Sequence, residues 1–141
     1  MGNVVLSILA HPDDAEFLCA GTLARLKREH GWDVHIASMT PGDCGSAEHG
    51  PDEIARIRRG EGKAAAAAVG ATYHCLEERD LRVIYNEPAL EKVVRLLNAV
   101  RPQVVFTHSP DDYHLDHEQT SKLVRAATFA EYLVKPDFVR G

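Results

Sequence analysis

The sequence predicts an α/β fold: one mostly parallel sheet with helices on both faces. Apolar runs rich in β-branched residues and lacking polar alternation, such as Val4-Val5-Leu6-Ser7-Ile8-Leu9-Ala10, are how strands buried on both faces read. These runs alternate with segments of helical periodicity long enough to serve as crossovers, the signature of βαβ units. The chain has 141 residues, 45% of them hydrophobic, which suits one core, since domains commonly run to about 100–150 residues. Residues 1–141 are therefore read as one domain.

Each element follows in order. Val4 to Ala10 is a central strand. Glu16 to Glu29 places Phe17, Ala20, Leu23, Ala24 and Leu26 at helical spacing, with Gly31 behind it as a C-cap. Val34 to Met39 is a second strand, followed by a Gly-rich loop from Pro41 to Pro51 and a helix from Asp52 to Val69 closed by Gly70. The Ala64 to Ala68 run within it is strongly helix-forming. Thr72 to Leu76 is a short third strand, Pro88 to Val100 a third helix, Val104 to Thr107 a fourth strand, and Glu118 to Leu133 the last helix. Four such units with right-handed crossovers make a Rossmann-like domain.

Sixteen Lys and Arg against twenty-one Asp and Glu give a net charge of −5. That balance argues against a nucleic-acid partner or an anionic membrane surface. The three cysteines, Cys19, Cys44 and Cys75, are an odd number without CxxC spacing, so neither a disulfide framework nor a thiolate cluster is expected, and a reducing cytoplasm fits best. The apolar start lacks a basic flank and is cut short by His11-Pro12-Asp13-Asp14, so it reads as neither a signal peptide nor a membrane span.

Eight histidines, twice the number of tyrosines, carry the chemical signal. His11, Asp13 and Asp14 follow the first strand, Thr40 to Gly45 the second, Asp80 the third, and His108 to His117 the fourth. All lie at carboxyl ends of strands, the edge where open parallel sheets bind ligands. Either cluster alone has an ordinary explanation. Asp13 or Asp14 suits a helix N-cap, and Asp111 to His117 suits a solvated polar loop. Together they can supply two imidazoles and a carboxylate to one metal, the donor set of a catalytic zinc with an open position.

Leu9-Ala10-His11-Pro12-Asp13-Asp14-Ala15-Glu16, Gly21-Thr22-Leu23-Ala24, Thr40-Pro41-Gly42-Asp43, Arg58-x-x-Glu61 and His114-x-Asp116-His117 together resemble the LmbE-like, or PIG-L, family of zinc-dependent de-N-acetylases. The resemblance runs from the first strand into the last helix. One departure is Ala15-Glu16, where many relatives carry the acidic residue directly after the Asp pair; no metal ligand is touched. The resemblance implies that His11, Asp14 and His117 bind Zn2+, with Fe2+ or another divalent metal as a substitute. It implies Asp13 as general base and His114 as the group that stabilises the oxyanion or protonates the leaving amine. Asp116 would orient a neighbouring histidine, Arg58 would grip substrate, and Asp80 would lie near the sugar.

The implied substrate is a small N-acetylated amino sugar of the N-acetylglucosamine type or its conjugate. Alternatives are another metal-dependent hydrolase, acting on a phosphoester or on the amide of a thiol-sugar conjugate, and a non-catalytic sugar-binding relative. No membrane insertion is implied, and a homo-oligomer is compatible. Glu16 reads as a first-turn dipole partner, Cys44 as a spectator thiol, and Tyr113 as lining the entrance or covering the loop. His30, His35, His49 and His74 read as surface or strand residues, and His108 occupies no ligand position of the motif. Relatives usually continue beyond the segment Lys135 to Gly141 with elements that wall the pocket, so the sequence reads either as a C-terminally short form or as one from which something is missing.

Overall fold

The computed structural model describes residues 2–133; the segment Lys135 to Gly141 lies outside them. The order of elements is β1 (Val4–Leu9), α1 (Asp14–Leu18), α2 (Ala20–His30), β2 (Asp33–Ser38), α3 (Pro51–Ala68), β3 (Thr72–Cys75), α4 (Glu87–Val100), β4 (Val104–Phe106) and α5 (Leu115–Leu133). The four strands form one sheet in the order β3-β2-β1-β4, and every pairing is parallel. The chain moves outward through β2 and β3 and then returns to the other side of β1. The strand order therefore reverses between β1 and β4, and that reversal opens the crevice where α/β sheets bind ligands.

β1 is buried on both faces, as its sequence requires. Leu6 and Ile8 pack in one core with Val93, Leu97 and Leu123 of α4 and α5. Val5 and Leu9 point the other way, into a core with Leu23 of α2 and Ala66 of α3. Alternation along one strand thus feeds two layers, and each fully buried Val or Leu stabilises the fold by about 1.5–3 kcal/mol.

One helix was expected over Glu16 to Glu29; two are found, broken at Cys19, whose φ of −144° leaves the helical region. Ala15, Cys19 and Leu23 nonetheless pack in one core, while Phe17 and Leu18 of α1 project outward at 82% and 61% exposure. Asp13 stands at the N-cap of α1 but makes no side-chain cap bond, so the capping explanation fails. The last helix begins three residues earlier than expected, at Leu115, which puts Asp116 and His117 in its first turn. α3 crosses β3 at Gly62, where a Cβ would lie 2.8 Å from Cζ of Tyr73; the Tyr73 hydroxyl shares a 2.6 Å hydrogen bond with Ser38 Oγ of β2.

Candidate active site

Residues from the ends of β1 and β4, remote in sequence, meet because those strands are neighbours. His11 Nδ1 and His117 Nε2 each lie 3.3 Å from Asp14 Oδ2, and one donor atom from each of the three residues falls within 4.8 Å of the others. Other His/Asp groupings are close as well, among them His11 with His114 and Asp116, and His108 with Asp112 and His117. Hydrogen bonding separates them. His11 directs Nε2 at Asp116 Oδ2, 2.9 Å away, with Asp80 Oδ1 at 3.1 Å; His117 directs Nδ1 at Asp112 Oδ1, 3.1 Å away. Each ring is braced by a carboxylate on one nitrogen and turns the other toward Asp14. Histidines that bind metals are held in this way.

The charges are strongly coupled. Burial opposes a charge on His11, but Asp14, Asp80 and Asp116 override it and raise its pKa to about 10. Burial likewise opposes ionisation of Asp14, yet the His11 ring and the His11 amide, which donates to Oδ2 at 2.8 Å, hold its carboxyl far below the usual range. Burial, foremost, lowers the pKa of His117, favouring the neutral ring whose lone pair can bind a cation. Asp112 is held below its ordinary value, against burial, by the His114 amide and the His117 ring.

Asp116 is 2% exposed. It accepts not only from His11 but also from the amides of Leu81 and Val83, at 2.8 and 3.2 Å. The histidine it orients is thus His11, on a different strand end, rather than one beside it in the motif. Asp80 is turned inward: one oxygen faces His11, the other accepts the Cys44 amide at 3.2 Å. Both its oxygens are engaged by protein, which sets it among the groups that brace His11. His114 Nδ1 accepts the Asp116 amide at 3.1 Å, so the neutral ring carries its proton on Nε2.

Asp13 lies at the rim with its side chain 44% exposed, and Arg58 Nη2 approaches its Oδ1 at 3.5 Å. Arg58 also reaches Glu61 at 3.8 Å. Gly42, at φ +71°, allows the loop after β2 to close on Arg58 and Pro12; a Cβ there would meet Arg58 Nε and Pro12 Cδ at 3.3 Å each. An open groove of about 490 Å³ runs from Asp13 and Arg58 past Phe17 and Glu61. Tyr113, 92% exposed, stands edge-on to His117 at the mouth.

Two residues stand in the stretch the sequence singles out but receive no role there. Asp112 had a local signal: two positions before His114, it can close an Asx turn, and it accepts the His114 amide at 3.0 Å. His108 lies two residues beyond the end of β4, and the β1–β4 pairing reveals that it is packed beneath the site.

The family described as PIG-L: GlcNAc-PI de-N-acetylase matches residues 6–128. A 1D-myo-inositol 2-acetamido-2-deoxy-alpha-D-glucopyranoside deacetylase from Rhodococcus opacus (strain B4) is 28% identical over 89% of this chain and 53% of its own length. Among solved structures, the N,N'-diacetylchitobiose deacetylase from Pyrococcus horikoshii superposes with a TM-score of 0.85 at 28% identity, covering 91% of this chain and 50% of that one. GalB, the 4-carboxy-2-hydroxymuconate hydratase from Pseudomonas putida KT2440, superposes with a TM-score of 0.82 at 25% identity, covering 90% and 56%. The chain spans about half the length of the curated relatives it matches.

Proposed function

The chain belongs to the PIG-L family of de-N-acetylases, and from that membership we propose that it is a zinc-dependent hydrolase that removes the acetyl group from an N-acetylated amino sugar of the N-acetylglucosamine type or its conjugate. The observation that carries this reading is the convergence of His11, Asp14 and His117, both rings braced by carboxylates, beside an exposed Asp13. The donor set fits a divalent cation in two respects. Two nitrogens and one oxygen are what a catalytic zinc takes from protein. The three carboxylates that raise the His11 pKa to about 10 also create a negative field that a cation would relieve. Fe2+ suits the same donors, which discriminate weakly among first-row metals.

When bound, zinc would supply a Lewis acid that lowers the pKa of water and polarises the amide carbonyl. The chain's own residues do the rest. Asp13, at the rim and steadied by Arg58, takes a proton from the attacking water. His114 presents Nε2–H to the oxygen that gains charge, a preformed donor that stabilises the oxyanion without reorganising, and Asp13 returns the proton it took from water to the departing nitrogen as the C–N bond breaks. Arg58 and the groove beside it receive the rest of the substrate. The products are acetate and a free amine. The substrate in this reading is a small molecule, and the three free cysteines suit a reducing cytoplasm.

The test is incubation of the zinc-loaded chain with N-acetylglucosamine glycosides, measuring acetate and primary amine in equal amounts. Absence of both over a range of aglycones would overturn the proposal. The hydratase likeness supports a second reading, water addition to an unsaturated tricarboxylate, which the same preparation would reveal as loss of conjugated absorbance without amine release.

A further inference from the structure

His108 has no part in the chemistry above, yet it is 5% exposed and lies where the continuation of β4 meets the end of β1. Its Nε2 accepts the Ala10 amide at 2.9 Å. A ring nitrogen that accepts carries no proton, so the ring is neutral with its hydrogen on Nδ1, and the Nε2 lone pair is already used. Nε2 also lies 3.5 Å from Asp14 Oδ2, but two acceptors cannot bond each other, and the shorter contact with an N–H decides the tautomer. The face of the ring lies on His117, with centroids 3.9 Å apart and planes within 4°. His117 in turn stacks on His114 at 4.8 Å and 16°. Three parallel imidazoles thus run from the interior to the mouth, with His108 at the buried end.

We infer that His108 is a positioning residue for the metal centre, a neutral, non-coordinating imidazole that holds the two ligand-bearing loops in register. Its edge fixes Ala10, the residue before His11; its face fixes the plane of His117. The obvious replacements do not do both. Phenylalanine offers a face but leaves the buried Ala10 amide unpartnered, whereas glutamine offers an acceptor but no ring. The inference rests on His11, Asp14 and His117 being the metal set.

The experiment has two arms. In the wild-type protein labelled with 15N-histidine, long-range proton–nitrogen spectra are recorded before and after zinc. His108 is expected to keep a bare Nε2 and a protonated Nδ1 in both states while nitrogens of His11 and His117 shift. In His108→Phe and His108→Gln, zinc affinity is measured by competition with a chromophoric chelator; each should weaken about 10–100-fold, the scale for groups that orient ligands. Their cobalt-substituted forms should keep the ligand-field spectrum that His117→Ala loses. A zinc-induced shift of a His108 nitrogen would make it a ligand and overturn the inference, as would wild-type affinity in both variants. Should the variants fail to fold, the wild-type spectra decide alone. If no histidine responds to zinc, the metal reading itself falls and this inference falls with it, a result distinct from a response that includes His108.

Discussion

At Asp13 and Asp14, adjacent carboxylates meet opposite surroundings. Asp14 is enclosed by imidazoles, whereas Asp13 stands half-exposed against Arg58. Asp13→Asn should therefore keep zinc and lower kcat by about 10²–10⁴-fold, the usual scale of general-base help, as steady-state kinetics beside elemental analysis will show; normal turnover would exclude Asp13 as base. His114 and His117 divide in the same manner. His117 has a braced ring with Nε2 turned toward Asp14, so His117→Ala should lose zinc, as should His11→Ala and Asp14→Ala. His114 is tied through Nδ1 to the Asp116 amide, so His114→Ala should retain zinc and substrate affinity while kcat falls about 10²–10³-fold, as for loss of an oxyanion donor. A metal-free His114→Ala with a metal-replete His117→Ala would reverse the assignment.

Among the elements, α3 has little room to change where it meets β3. Gly62 lets the helix lie directly on the Tyr73 ring, and an added methyl would stand 2.8 Å from Cζ. In an isolated helix Ala is favoured over Gly by about 1 kcal/mol; here the clash should outweigh that gain. Gly62→Ala is expected to destabilise the protein by about 1–3 kcal/mol, the range for overpacking, measured by urea unfolding. An increase in stability would mean that α3 shifts freely over β3. α5 matters differently, because its start at Leu115 sets Asp116 and His117 in one turn. Their side chains reach opposite partners, Asp116 toward His11 and His117 toward Asp112.

For the molecule as a whole, acid sensitivity should have a component remote from the active site. His74 Nε2 and His35 Nδ1 share one hydrogen bond at 2.9 Å on β3 and β2, and burial, with His35 beside it, lowers the pKa of His74 below 6.5. In that range the unfolded chain binds the proton that the folded one refuses, so stability rises with pH and is lost as the pH falls from about 6.5 through the folded-state value. Melting temperatures of the metal-free protein across that range, compared with His74→Gln, should show a shallower acid loss in the variant; parallel curves would count against the pair. The sequence alone determined the alternating βαβ order, the burial of β1 and the placing of His11, Asp14 and His117 at carboxyl strand ends, because burial and strand-to-helix alternation are written in local periodicity. The tertiary structure decided the break at Cys19, the inward turn of Asp80, and the pairing of Asp116 with His11 and of Asp112 with His117. It also decided that His108 lies beneath the site. Such matches depend on which strands lie side by side, and adjacency is settled by how whole helices pack on the two faces of the sheet, a property that no local window of residues contains.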